Sequence, residues 1–302
     1  MTPSEITNNP NIYTQELAAP AKKKSQFREI AKRFTRSKLA ILGFLIVATL
    51  VFMIIFAPFI TSHDYAFQDY MNRFAYPSAK HLMGTDNFGR DIFTRLLYGG
   101  RISLMVSLIS VILSNTVGIT LGSIAGYFGG KVDLVVMRIL DILMAIPSLI
   151  MAIAISAALG GGTFNTILAI SISGVPYSMR MTRSTILTVK SNEYVEAARA
   201  TGSRSMRIII KHILPNSFAP VLVSATLLIG TNIMSISSLS FIGLGVQPPT
   251  PEWGSILAAG REYLRDFWPL IVFPSLCIFM TVFGFNILGD GLRDALDPRL
   301  KD

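Results

Sequence analysis

The sequence predicts an all-α membrane protein with six transmembrane helices, both termini cytoplasmic, and a cytoplasmic polar helix between the fourth and fifth spans. Three observations carry this. The 302 residues are 51% hydrophobic and 15% charged, whereas soluble domains carry about a quarter charged residues. Uncharged runs at 39–60, 102–130, 142–179, 213–251 and 267–289 reach or exceed the roughly 20 residues that cross a hydrocarbon core. Lysines and arginines collect on alternate connections between those runs.

The elements follow in chain order. Residues 1–38 form a polar tail that becomes basic between Lys22 and Lys38. A secretory leader has an earlier apolar run and a small-residue cleavage site, so a retained first helix at 39–60 is expected. The outer segment 61–101 ends with Ile92, Phe93, Leu96 and Leu97, spaced as the apolar face of an interfacial helix. The second span carries Gly118, Gly122 and Gly126 at four-residue spacing, a stripe that lets a neighbouring helix approach closely. The third run is cut by "GGGT" at 160–163, which divides it into spans at roughly 139–159 and 164–183. The fifth span ends by Gly243, where "GLGVQPPTP" cannot continue a helix. The sixth covers 267–289 and leads to a short tail at 291–302.

Orientation follows from charge. With the N-terminus inside, the inner segments hold 20 of the 27 Lys and Arg residues and the outer ones hold 7. This placement on membrane flanks, rather than on one folded face, accounts for the net charge of +9 without nucleic acid. The basic tail also suits membrane lipid head groups.

Chemistry is largely excluded. Cys277 stands alone in an apolar run, and His63, His81 and His212 have no metal-ligand spacing. The nearest approach to a phosphate loop, "GYFGGKV" at 126–132, is one residue short and has Val132 where a magnesium-binding hydroxyl belongs. No cofactor is therefore expected in this chain, and no catalytic residue. Asp141 lies near the inner end of the third span, where an ion pair with Arg138 accounts for both. Asn115, Asn232 and Asn286, several serines, and Pro147 and Pro274 allow a polar pathway without the mid-membrane carboxylates that ion coupling usually needs. A gradient-driven secondary carrier is the competing class, and the energy source is expected elsewhere.

The stretch "EYVEAARATGSRSMRIIIKHILPN" at 193–216 breaks the apolar pattern. Asn192 suits a helix start, and Glu193 and Glu196 fall in the first turn, where the dipole favours carboxylates. Gly202 suits a left-handed end, and a second segment runs from Arg204 to Pro215. Two uses fit: a socket for a partner, or an amphipathic helix resting on head groups.

This stretch resembles the EAA loop of ABC-importer permease subunits: Glu196, Ala197 and Ala198, then Gly202, then His212-Ile213-Leu214-Pro215, with His212 in place of the usual isoleucine. "HLMGTDNFGRDIFTRLLYGGRISL" at 81–104, "RILDILMAIPSLI" at 138–150 and "SLSFIGLGVQPPTPEWG" at 238–254 resemble the C-type subunits of the dipeptide, oligopeptide and nickel permeases. The resemblance implies a permease core of five spans at 102–290 in a bacterial cytoplasmic membrane. It implies pairing with a homologous permease as a heterodimer, two cytoplasmic ATPases that hold ATP and magnesium, and an external solute-binding protein. Glu196, Ala197, Ala198, Gly202, Leu214 and Pro215 would couple to the ATPases. Di- or oligopeptides are the implied cargo, with nickel chelates or another small solute as the alternative; substrate-contacting residues are not implied.

Overall fold

The computed structural model describes residues 26–296; residues 1–25 of the expected tail and 297–302 at the other end lie outside the described residues. Among the described residues the structure is helical, and the β pairing is one isolated bridge between Thr85 and Asp91. Helix α1 spans Gln26–Phe34, and α2 spans Lys38–Ile55, started by Ser37, whose hydroxyl accepts from the Ala40 amide at 3.3 Å. Helix α3 runs Ile92–Phe128, capped by Asp91 on the Thr94 amide at 2.8 Å. Its 37 residues measure about 55 Å at 1.5 Å per residue. Then come α4 (Gly130–Met144), α5 (Ser148–Leu159), α6 (Thr163–Lys190), α7 (Glu193–Ala200), α8 (Ser205–Phe241), α9 (Trp253–Gly260) and α10 (Pro269–Leu296).

The glycine stripe sets the central seam. A methyl group on Gly122 would lie 2.7 Å from the Met179 carbonyl oxygen, and one on Gly126 would lie 2.9 Å from Ile186. Helices α3 and α6 therefore touch backbone to side chain along their length, and the Ser178 hydroxyl crosses the seam to Asn115 Oδ1 at 2.6 Å. The same device joins α2 to α10, where a methyl on Gly43 would sit 2.7 Å from the Leu288 amide nitrogen.

A lobe at the end opposite α7 closes over α3, α8 and α10. Trp253 is buried among Ile92, Leu96, Ile233 and Leu270, and its indole donates to the Leu96 carbonyl at 2.8 Å. Buried Glu252 accepts from the Ser103 hydroxyl at 3.0 Å and the Ser255 amide at 2.9 Å. Asp86 takes the Phe88 and Arg90 amides and the Arg90 guanidinium at 2.6 Å, with Arg95 at 3.6 Å. Asp91 also holds the His81 ring at 3.0 Å. At the lobe's exposed rim, the Asn72 amide donates to Asp69 and holds that carboxyl below its ordinary value.

Three expectations are corrected. The segment 92–101 is not a separate interfacial helix but the first turns of α3, because Ile92, Leu96 and Leu97 are buried under the lobe. The third span at 139–159 is not one continuous helix; α4 and α5 meet at 82° around Ala145–Pro147. Pro147 has no amide hydrogen and disfavours helical Ile146, and exposed residues 141–150 offer no packing to straighten the chain. Asp141 pairs with Arg180 of α6 at 2.7 Å rather than with Arg138. Four described helices, α2, α3, α8 and α10, are long and apolar enough to cross a membrane, or five if the bent pair is one span. Helix α6 falls outside that number because its polar side chains lower its hydropathy; Ser171, Ser173, Ser178 and Thr182 point into the bundle.

Candidate functional site

Helix α7 occupies Glu193–Ala200, with Asn192 at its N-cap position. The Asn192 side chain makes no cap; its carbonyl accepts from the Val195 amide at 2.9 Å. At the other end Gly202 has φ of +77°. Its amide donates to the Arg199 carbonyl at 3.0 Å, and the Ser203 amide donates to the Ala198 carbonyl at 3.2 Å. These two bonds form a Schellman motif, the ending that a left-handed glycine permits. The chain reverses at once into α8, which widens to a π turn at Ile209–Ile213 after its first turn at Ser205–Ile208. The Leu214 amide reaches back five residues to the Ile209 carbonyl. That extra residue lies directly ahead of Pro215, whose ring would crowd the carbonyl four residues earlier.

One apolar cluster clamps this reversal to the bundle. Val195, fully buried, meets Tyr127 at the end of α3, Ile186 and Val189 at the end of α6, and Ile208, Ile209 and Ile213 of α8. Each such side chain contributes about 1.5–3 kcal/mol when buried. Ala198 and Leu214 pack against the cluster from its edge. Lys190 donates to the Tyr127 carbonyl at 2.6 Å, and the Arg199 guanidinium lies 6.0 Å from the Tyr127 ring centre. Asp133 and Arg183 form a two-bonded pair at 2.5 and 2.6 Å that ties α4 to α6 nearby.

The six sequence-selected residues thus divide. Ala198 and Leu214 face the clamp, Gly202 makes the reversal, and Glu196, Ala197 and Pro215 are exposed. Glu193 is exposed as well, and neither carboxylate of α7 has an ion-pair partner among the described residues. Such a surface, polar, low in relief and rigidly backed, suits contact with another macromolecule. Sequence reading did not select Val195 or Tyr127. The one available signal was a lone β-branched residue in a polar octet. Of the pathway asparagines, Asn115 is consumed by Ser178, Asn232 is buried beside a cavity, and Asn286 is exposed.

Comparison with known proteins agrees along the chain. Residues 118–302 match the family of binding-protein-dependent transport system inner membrane components. Residues 25–77 match the N-terminal transmembrane domain of oligopeptide transport permease C. The dipeptide transport system permease protein DppC of Alkalihalophilus pseudofirmus is 47% identical over 92% of this chain and 91% of its own. The di/tripeptide permease DppC of Pseudomonas aeruginosa is 41% identical, covering 92% and 94%. The glutathione permease GsiD of Pectobacterium atrosepticum is 42% identical, covering 92% and 93%. Among solved structures, the inward-facing MetNI methionine ABC transporter superposes with a TM-score of 0.57 at 19% identity, over 68% of this chain and 98% of that one. That likeness concerns the fold.

Proposed function

The chain belongs to the family of binding-protein-dependent inner membrane components, as a C-type permease subunit of an ABC importer, and from that membership we propose that it passes di- or oligopeptides across a bacterial cytoplasmic membrane. The subunit is not an enzyme; ATP hydrolysis belongs to separate subunits. In this reading α7 and its reversal, through Glu196, Ala197, Ala198, Gly202, Leu214 and Pro215, receive the motion of a cytoplasmic ATPase. A homologous permease supplies the other half of the path, a second ATPase docks on that half, and an external solute-binding protein delivers peptide to the lobe at the opposite end.

Six crossings are proposed, with the bent α4–α5 pair and α6 among them, the ends of the chain inside, and residues 61–101 outside. The domain limits given above, 1–38, 39–60, 61–101, 102–290 and 291–302, follow that topology, with 92–101 belonging to α3. Peptide cargo is supported by relatives named for dipeptides, di/tripeptides and glutathione.

The observation that carries the reading is the clamp behind α7. Because Val195 is fully buried against the ends of α3, α6 and α8, a push on the exposed face cannot be absorbed locally. Close-packed interiors transmit strain rather than deform. The ends of those helices then move with α7, while the lobe holds the far ends of α3 and α8 together. The test is uptake by the reconstituted complex with ATP and binding protein, for wild type and Gly202→Val. Insertion and subunit assembly persist in the variant, and ATP-dependent peptide uptake is lost. Normal uptake with normal ATPase docking would remove the coupling role. Competition among dipeptides, oligopeptides and nickel chelates assigns the cargo.

A further inference from the structure

We propose that two facing stripes on α6 and α8 form this chain's wall of the solute path, with Tyr177 at its waist and Arg293 at its mouth favouring solutes that carry a carboxylate. This rests on the importer reading above and adds the residues and their selectivity.

The geometry comes from two adjoining cavities. The larger, about 610 Å³, opens between α6, the middle turns of α8 and the last turn of α10. The smaller, about 230 Å³, continues it toward the middle of the bundle and adds Ser148 at the bend before α5. Tyr177 and Leu227 line both, so they mark the constriction between them. On α8 the lining residues include Asn216, Ser224, Leu227, Thr231 and Ser235, three to eight residues apart on one helical face. From Asn216 to Ser235 that face rises about 28 Å, close to the roughly 30 Å of a hydrocarbon core. On α6 the matching face is Ser173, Gly174, Tyr177 and Met181. This explains a feature the span pattern leaves unexplained: α6 is too polar for lipid because its polar side chains face α3 on one side and this path on the other.

The chemistry of the wall is that of a hydrogen-bonding surface. The hydroxyls of Ser173, Ser224, Thr231 and Ser235 donate to carbonyls of their own helices at 2.9 to 3.3 Å, which leaves their oxygen lone pairs as acceptors. No described residue hydrogen-bonds the Tyr177 hydroxyl or the Asn232 amide, and both can donate and accept. Peptide groups need this mixture of acceptors and donors along an extended path. Charge then discriminates. Arg293 is the lone charged residue among those lining the two cavities, and it has no ion-pair partner among the described residues. A path lined by a single cation and no carboxylate among the described residues attracts carboxylates and opposes cationic solutes. The lining includes no His, Cys, Asp or Glu to ligate a metal chelate.

The experiment uses the complete transporter in proteoliposomes with its own binding protein and ATP. With Arg293→Glu, the ratio of Ala-Glu to Ala-Lys uptake falls by about tenfold relative to wild type, within the usual range of electrostatic focusing; Arg293→Lys keeps the wild-type ratio. Because the binding protein is unchanged, the shift in ratio belongs to the permease. Arg293→Gln, at an intermediate ratio, supplies the result should charge reversal prevent assembly. In a Cys277→Ser background, a water-soluble thiol reagent modifies Thr231→Cys and Ser235→Cys and is slowed by peptide during turnover. Leu222→Cys, exposed and on the opposite face of α8 from Thr231, is covered by lipid and stays unmodified. An unchanged ratio, or no labelling at residues 231 and 235, overturns the assignment. Loss of ATP-driven peptide uptake by the wild-type complex would instead overturn the importer reading itself.

Discussion

The lobe and the α7 reversal are both polar stretches between spans, yet they direct their charges oppositely. In the lobe, Asp86, Arg90, Arg95, Asp91 and His81 are all buried and answer one another at 2.6 to 3.6 Å. In the reversal, Glu193, Glu196, Arg204 and Arg207 are exposed, and no described residue pairs with them. The lobe's buried charges are therefore paired among themselves, a lock across the ends of α3, α8 and α10, with His81 Nε2 and Asn87 Oδ1 left without partners among the described residues. The reversal is a rigid frame with an unanswered surface. A charge kept inside fixes structure; a charge left outside on a stiff support is available to a partner.

Breaking the lobe should cost most. Asp86→Ala leaves two buried guanidinium groups without their carboxylate, a loss of about 3–5 kcal/mol. The expected outcome is poor accumulation in the membrane and a protease-sensitive outer face. Next comes the clamp: Val195→Ala removes buried methyl groups and leaves a small cavity, about 1–2 kcal/mol. The chain inserts normally, but amide exchange across 193–216 accelerates and ATP hydrolysis uncouples partly from uptake. Gly202→Val forces a β-branched residue to φ of +77°, costing about 1–2 kcal/mol locally. Nothing lies within 4 Å of the added carbon, so the fold survives while the reversal is redirected and uptake fails. Smallest in stability is Glu193→Gln, within about 0.5 kcal/mol, seen as weaker ATPase retention during purification. The comparison sharpens if Asp86→Ala loses stability without a specific coupling defect while Gly202→Val loses coupling at little cost in stability.

Much of this was legible in the sequence, though unevenly. The end of α7 could be read because Gly202 follows an alanine-rich run, and a left-handed glycine after a helix has few other uses. The break at 160–163 was equally plain, since Gly160 and Gly162 adopt φ of +85° and +132°. The clamp was not legible: Tyr127, Ile186 and Val195 meet only through the fold, and periodicity says nothing about which distant apolar faces touch. Pro147 announced a disturbance but not its 82° size, which depends on the absence of packing around residues 141–150. Asp141 had a local partner in view and took Arg180 of α6 instead. Helix α6 was countable as a span by length, while the reason for its polarity lay in its neighbours.

The most direct test of a docking surface at the reversal is proximity in the assembled transporter. With Ala197→Cys in a Cys277→Ser background, a short bifunctional thiol reagent should join this chain to an ATP-hydrolysing subunit, and a membrane-impermeant reagent applied from outside should leave the cysteine unlabelled. Labelling from outside, or a crosslink that never includes such a subunit, would contradict the account.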